Sequence, residues 1–415
     1  MNPSDITLEA VSSASQIAPG EWDACANPRL ALAADNELAA IVSSVTTGDS
    51  RIDSANVYNP FISHAFFTAL EESGSASART GWLPRHLVAR QNGEIVGLVP
   101  CYAKNHSQGE YVFDHGWADA FERAGGNYYP KLQASVPFTP ATGARLLIRG
   151  DADRQQVGEA LAAGLVALCD TLEASSIHVT FAREDEWNFL GTHGFLKRTD
   201  QQFHWRNDSY GCFEDFLGSL NSRHRKAIRR ERRDALADGI TIHPLTGSDI
   251  TEDAWDAFFE FYIETGSRKW GRPYLNRDFY RRIARTMADD VLLVMAKRNG
   301  SWIAGAINFI GSDTLFGRHW GAVEHHPFLH FEVCYYQAID FAIARKLKRV
   351  EAGAQGEHKI ARGYLPQTTY SAHYIANPSL RHAVREYLDR ERVYVEEAVR
   401  ELTQAGPFRK DNPDD

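Results

Sequence analysis

Four groups of residues in this chain have types and spacing that could do chemistry. The first is Glu351 with Gln355, Glu357, His358, Lys359 and Arg362 after it. A carboxylate inside a short strand is either an ion-pair partner or a site residue, because central parallel strands are normally apolar on both faces. The residues that follow it fall at the end of that strand, where ligands sit in αβ sheets. They also fit a helix start with an acid near its dipole and a basic face in water. The second group is Arg223-His-Arg-Lys-Ala-Ile-Arg-Arg-Glu-Arg-Arg233, seven basic residues in eleven positions. Such a density of arginine suits phosphate, carboxylate or nucleic acid, with Arg225, Arg229 and Arg230 the candidate contacts; a solvated helix face is the plainer reading. The third is Glu324 to Glu332, where His326, His330 and Glu332 could ligate a metal, although Pro327 interrupts any helix that would align the two histidines. The fourth is Thr265-Gly-Ser-Arg-Lys-Trp-Gly-Arg-Pro-Tyr274, a substrate loop or a turn, with Lys269 and Trp270 as its contacts.

Two of these groups hang on one predicted crossover. Leu315–Trp320 and Val350–Ala354 alternate as strands, and the apolar-periodic segment Val333–Lys348 between them reads as a helix, which makes the strands parallel. Val350, Ala352 and Ala354 share one face, so Glu351, Gly353 and Gln355 take the other. In the first strand, unbroken alternation puts His319 on the side of Leu315 and Gly317, with Arg318 and Trp320 opposite. Cys334, on the helix, reads as a small core residue. Lys131 and His115 are weaker site candidates, equally readable as packing and a satisfied histidine. Gly-x-Ser-x-Gly is absent, which disfavours serine hydrolysis.

The same order of elements occurs twice. His86–Tyr102 and Leu293–Phe309 are hairpins turning at Asn92-Gly93 and Asn299-Gly300. Tyr111–Trp117 reads as a strand matching Leu315–Trp320; Asp153–Glu173 matches the helix Val333–Lys348, and Gly194-Phe195 matches Gly363-Tyr364. The repeat implies two domains, residues 1–207 with an insertion around 31–56, and residues 208–400 opening with a basic helix Phe213–Ala237, before a polar tail at 401–415.

Composition narrows the class. With 415 residues, 43% hydrophobic and 24% charged, the chain reads as a two-domain globular protein. No run of about 18 apolar residues occurs, and the N-terminus lacks a signal-peptide pattern. Five scattered cysteines, never spaced Cys-x-x-Cys, point to a reducing cytoplasm rather than a disulfide framework. A net charge of −9 argues against nonspecific nucleic-acid binding by the whole surface, though not by a local patch.

The order hairpin, strand, helix, strand, helix, Gly-aromatic, strand resembles an N-acetyltransferase-like (GNAT) domain. Two in tandem resemble the Fem peptidyltransferase superfamily, and more closely the bacterial Fem-like family described as predicted N-acyltransferases linked to peptidoglycan. The segments that carry this include Asn59-Pro-Phe-Ile-Ser-His, His106-Ser-Gln-Gly-Glu-Tyr-Val-Phe-Asp, Tyr128-Tyr-Pro-Lys-Leu-Gln, Val136-Pro-Phe-Thr-Pro, Thr265-Gly-Ser-Arg-Lys-Trp-Gly, His330-Phe-Glu-Val-Cys-Tyr-Tyr-Gln and Glu351-Ala-Gly-Ala-Gln-Gly-Glu-His-Lys. The resemblance implies a mixed αβ sheet in two tandem GNAT-like domains and transfer of an acyl or aminoacyl group to an amine. It implies that splayed fourth and fifth strands hold the donor, that Glu351, Glu332 or His319 deprotonates the amine, and that Tyr364 or Tyr370 protonates a leaving thiolate. Acyl-CoA or aminoacyl-tRNA would be the donor, and a peptidoglycan-precursor amine the acceptor. The Gln/Arg-x-x-Gly-x-Gly/Ala pyrophosphate loop is missing: Val323–Glu332 stands in its place. A binding module on a degenerate transferase fold and a metal-dependent hydrolase are the other classes these residues admit.

Overall fold

Two hairpins are set by the two Asn-Gly pairs. Asn92 and Gly93 take φ of 54° and 86°, and Asn299 and Gly300 take 51° and 83°, the positive values that this turn demands at both central residues. The computed structural model describes residues 5–28, 57–270, 273–354 and 356–409, without the side chains of 268–270 and 357. The expected insertion around 31–56 thus lies outside the described residues. The chain divides into two units, residues 1–200 with 369–393 and residues 201–368 with 394–415. Leu196–Arg206 and Leu365–Ile375 are strands that begin in one unit and end in the other.

In the first unit Trp82–Pro84, Cys101–Lys104, Lys131–Ala134, Ser176–Ala182 and the end of Leu365–Ile375 form a mixed sheet in that spatial order. Lys131–Ala134 and Ser176–Ala182 are its parallel pair, with Leu132 opposite Ile177 and Ala134 opposite Val179. The helix Arg154–Thr171 between them starts where Asp153 accepts hydrogen bonds from the Gln155 and Gln156 amides. It buries Val157, Leu161 and Leu165 with Leu132, Ala134, Ile177 and Val179, each large aliphatic residue contributing about 1.5–3 kcal/mol.

The expected strand Tyr111–Trp117 does not form. Gly109 and Tyr111 have φ of 79° and 59°, which breaks an extended backbone, and the chain runs as a loop to Asp114 before the helix His115–Arg123. The counterpart of the Leu315–Trp320 strand is therefore Lys131–Ala134, not Val112–Trp117.

In the second unit Thr241–Thr246, Val291–Arg298, Ser301–Ile310, Thr314–Ala322, Arg349–Glu351 and the end of Leu196–Arg206 form a sheet in that order. All its neighbours are antiparallel except Thr314–Ala322 with Arg349–Glu351. The helix Glu252–Trp270 packs on one face of Thr314–Ala322. The other face carries Val333, Tyr336, Ile339 and Ile343 of the crossover helix, in one core with Leu315 and Val350. The crossover helix runs from Leu329 to Ala344 with a π-helical stretch at Glu332–Tyr336, a widening often found at functional sites. The expected single helix Phe213–Ala237 is two, Phe213–Ser219 and Ser222–Ala235. Leu220 between them is extended and fully buried, and Asn221 caps the second by accepting from the His224 amide.

Candidate functional site

The parallel pair of the second unit comes apart after three residue pairs. Thr314, Leu315 and Phe316 face Arg349, Val350 and Glu351, and no further pairing joins the two strands. Thr314–Ala322 continues, whereas the other arm follows Phe203, which accepts from the Ala352 amide and donates to the Gly353 carbonyl at 3.1 Å each. Lys359 fastens that arm by donating to the Ala352 carbonyl and, at 3.1 Å, to that of Gly353. Glu351 is thus the last paired residue before the fork opens.

Faces at the fork differ from simple alternation. The register of Ser301–Ile310 with Thr314–Ala322 shifts between Ile307 and Asn308, leaving Arg318 as an extra residue. A one-residue bulge sends every later side chain to the opposite face. His319 therefore packs on Tyr262 of the Glu252–Trp270 helix, ring centroids 4.9 Å apart, while Leu315 and Trp320 belong to the core beneath the crossover helix. His319 and Leu315 do not share a side. Burial and the Arg318 charge hold the His319 imidazole well below its usual range. Glu351 is 6% exposed and stands 4.0 Å from His204 Nε2. Burial, with the Arg349 and Lys359 charges, pushes His204 down to about 3, so it is neutral at pH 7.

Glu332 and the basic helix meet. Arg232 donates to both Glu332 carboxylate oxygens, at 2.9 and 3.1 Å, and to Asp340. At the preceding residue, Arg362 holds both oxygens of Glu231, at 2.8 and 2.9 Å, and Tyr336 donates to the same carboxylate. Arg225 is half-buried and points to the Leu220 carbonyl, Arg229 pairs with Glu214, and Arg230 is exposed. The outer stripe of this helix is Arg223, Lys226, Arg230 and Arg233, all exposed and spaced three, four and three residues apart, which is one helix face.

Aromatic and imidazole rings wall the crossover-helix side. Tyr335 and His358 approach to 3.1 Å between hydroxyl and Nε2; His330 packs on Trp320, Tyr335 and His358, and the Arg362 guanidinium lies 3.4 Å from the centre of Phe331. A cavity of 590 Å³ opens there, lined by Thr265, Trp320, His325, His326, Phe328 and His330 among others. Tyr364 is fully buried, its hydroxyl donates to the Tyr335 carbonyl, and burial raises it well above its usual range. Lys359, by contrast, is pushed down to about 8 by burial. His326 faces Glu324 at 2.8 Å, and Glu324 also binds Arg298. Among the described residues, no three or more His, Cys, Asp or Glu come together as a metal site. Gln355 lies outside the described residues, as do the side chains of Lys269 and Trp270.

Sequence reasoning missed His204, Glu231 and Arg232. Glu231 had a readable signal: it lies three residues after Ile228 and four before Ala235, on the buried stripe, so a carboxylate was due inside.

A mixed sheet whose one parallel pair splays beside a crossover helix defines the N-acetyltransferase-like fold, here in tandem. The chain belongs to the FemAB-like family, described as peptidoglycan biosynthesis/recognition, whose pattern matches residues 13–410. No curated protein matches it. Among solved structures it is similar to FemX, at 13% identity and a TM-score of 0.50, covering 77% of this chain and 94% of that one. Further matches are a tandem GNAT protein from the clavulanic acid biosynthesis pathway, at 12% identity and 0.44 over 90% and 99%, and L-PGS from Bacillus licheniformis, at 9% and 0.49 over 80% and 98%. At such identities the likeness is one of fold.

Proposed function

We propose that the protein transfers an aminoacyl or other acyl group to the amine of a peptidoglycan precursor, at the fork of the second unit. The observation that carries this reading is the opening itself. Past Phe316 no strand among the described residues pairs with the inner edge of Thr314–Ala322, so its backbone can hold a donor carbonyl and meet the oxyanion that forms on it. Glu351, at the vertex, takes the proton from the attacking ammonium, and His204, neutral beside it, positions it. His319 is the second candidate base, reaching the fork from the same face.

The donor we favour is aminoacyl-tRNA. A diphosphate at the start of the crossover helix would meet Glu324 and a helix that opens at Phe328 with φ 62° and no side-chain cap, a poor cradle for an anion. The exposed stripe Arg223, Lys226, Arg230 and Arg233 suits phosphates instead. The cavity lined by Trp320, His326 and His330 would then take the acceptor.

The test is a transfer assay on a UDP-linked muropeptide, read by mass, with charged tRNA in one arm and acyl-CoAs in the other. Added aminoacyl mass that depends on charged tRNA and falls with rising salt supports the reading. Added mass only with acyl-CoA transfers the donor role to coenzyme A; precursor binding without turnover makes the protein a recognition module.

A further inference from the structure

One face of the first unit's sheet is polar and yet buried. Tyr102 and Lys104, Lys131 and Gln133 with Ser135, Ser176 with His178 and Thr180, and Ser371 with His373 line it across four strands, and none is more than 5% exposed. The opposite face of the same strands is apolar: Cys101, Leu132, Ala134, Ile177, Val179 and Ala372 lie in the core under Arg154–Thr171. Buried ion pairs are seldom more stable than apolar packing of the same volume, so stability alone does not call for this face.

At its centre are two lysines with fully buried side chains. Lys131 Nζ donates to Ser107 Oγ at 2.7 Å, Glu110 Oε2 at 2.7 Å and Asp114 Oδ2 at 2.5 Å. Lys104 donates to the Gln108 carbonyl at 2.8 Å, faces Glu110 Oε1 at 3.4 Å and lies 3.5 Å from the centre of the Trp82 ring. Burial pushes the Lys104 ammonium down to about 7, with the Glu110 charge opposing. Both acids that meet the two lysines come from one loop, Asn105–Asp114, and that loop is inside out: Ser107, Glu110 and Asp114 point inward while Phe113, 67% exposed, points to solvent. Asp114 Oδ1, Gln133 Oε1, Ser135 Oγ and His373 Nε2 are buried with no hydrogen-bond partner among the described residues, whereas buried polar groups are as a rule hydrogen-bonded.

We propose that this polar face is a second binding site, for an oxyanion of a ligand, with Lys131 and Lys104 as its cations and Glu110 and Asp114 as the stand-ins that the ligand displaces when the loop lifts. Gln133, Ser135 and Tyr128 then supply neutral hydrogen bonds around it. A carboxylate and a phosphate share this chemistry. The site is independent of the fork in the second unit, and its test reads binding rather than transfer.

The experiment is calorimetric titration of the full chain with inorganic pyrophosphate in one arm and N-acetyl-alanyl-alanine in the other. The background carries Arg223→Ala, Lys226→Ala, Arg230→Ala and Arg233→Ala, so that the exposed stripe of the basic helix adds no anion site. Removing an internal competitor raises apparent affinity, so Glu110→Gln and Asp114→Asn each tighten binding roughly tenfold, and Lys131→Met abolishes it. The arm that responds names the ligand class. No binding of either probe to the Glu110→Gln and Asp114→Asn chains, or affinities that these changes leave unmoved, overturns the proposal. Because both are conservative replacements, this outcome is readable even if Lys131→Met fails to fold.

Discussion

Arg232 grips Glu332 with two guanidinium nitrogens, at 2.9 and 3.1 Å, and the carboxylate is wholly buried. That pair ties the basic helix to the π-helical stretch of the crossover and occupies both carboxylate oxygens of Glu332. Breaking a buried pair by neutralising one partner costs about 3–5 kcal/mol. Glu332→Gln is therefore expected to lower the unfolding free energy by that much while turnover per folded molecule stays within about twofold of wild type. A hundredfold loss of turnover at unchanged stability would instead make Glu332 the base.

What the sequence showed, and what it hid, follows the range of the forces involved. The Asn-Gly turns, the helix start at Asp153 and the apolar face of Arg154–Thr171 are local, and each appears where the residues put it. The tandem mixed αβ fold was legible through the resemblance that those elements carry. The bulge at Arg318 was not legible, because an extra residue in a strand leaves composition unchanged and only the register to Ile307 and Asn308 reveals it. Nor was the loop Asn105–Asp114: Tyr-Val-Phe reads as strand, and the ion pairs to Lys131 that override it come from another strand. Arg232 looked like its neighbours in a basic run, and only the fold separates it from exposed Arg230 and Arg233.

Glu351→Gln tests the base directly. The amide keeps the shape of the carboxylate at the vertex but cannot accept a proton, and a positioned general base contributes about a hundredfold or more to rate. Turnover should fall by about that factor, with precursor binding retained. Single-turnover kinetics separates the two, and a variant that turns over normally removes Glu351 from the mechanism in favour of His319.

Acid should unfold both units through buried neutral histidines. Burial pushes His178 and His204 down to about 3 from an ordinary 6.5. A cation whose folded pKa is depressed binds fewer protons folded than unfolded, so its stability is present above pH 6.5 and drains away as pH falls toward 3. By pH 5 each histidine should have lost about 2 kcal/mol. Chemical denaturation at pH 7.5 and pH 5 measures the loss. His204→Gln should lessen the pH slope of the second unit, where buried His319 keeps its own share, and leave that of the first, which His178 and His373 set.

Gly321 is where the strand past the bulge meets the Glu252–Trp270 helix most closely. A Cβ built there would stand 2.2 Å from the Phe261 carbonyl oxygen and 2.3 Å from its carbon, and backbone cannot step aside as a side-chain tip can. Gly321→Ala must push the helix off the strand, carrying Tyr262 away from His319, and overpacking of this kind costs about 1–3 kcal/mol. Gly218 is the contrast: nothing lies within 4 Å of the point where its methyl group would stand, and it sits in the helix Phe213–Ser219, where alanine is favoured by up to about 1 kcal/mol. Thermal melting should therefore move in opposite directions for the two glycines. Because Gly321 shares a face with His319, its alanine variant should also lose transfer activity in the protein that remains folded, whereas Gly218→Ala should keep it. Equal melting temperatures for the two would show that the helix yields at Phe261, and that the close approach does not set the inner edge of the fork.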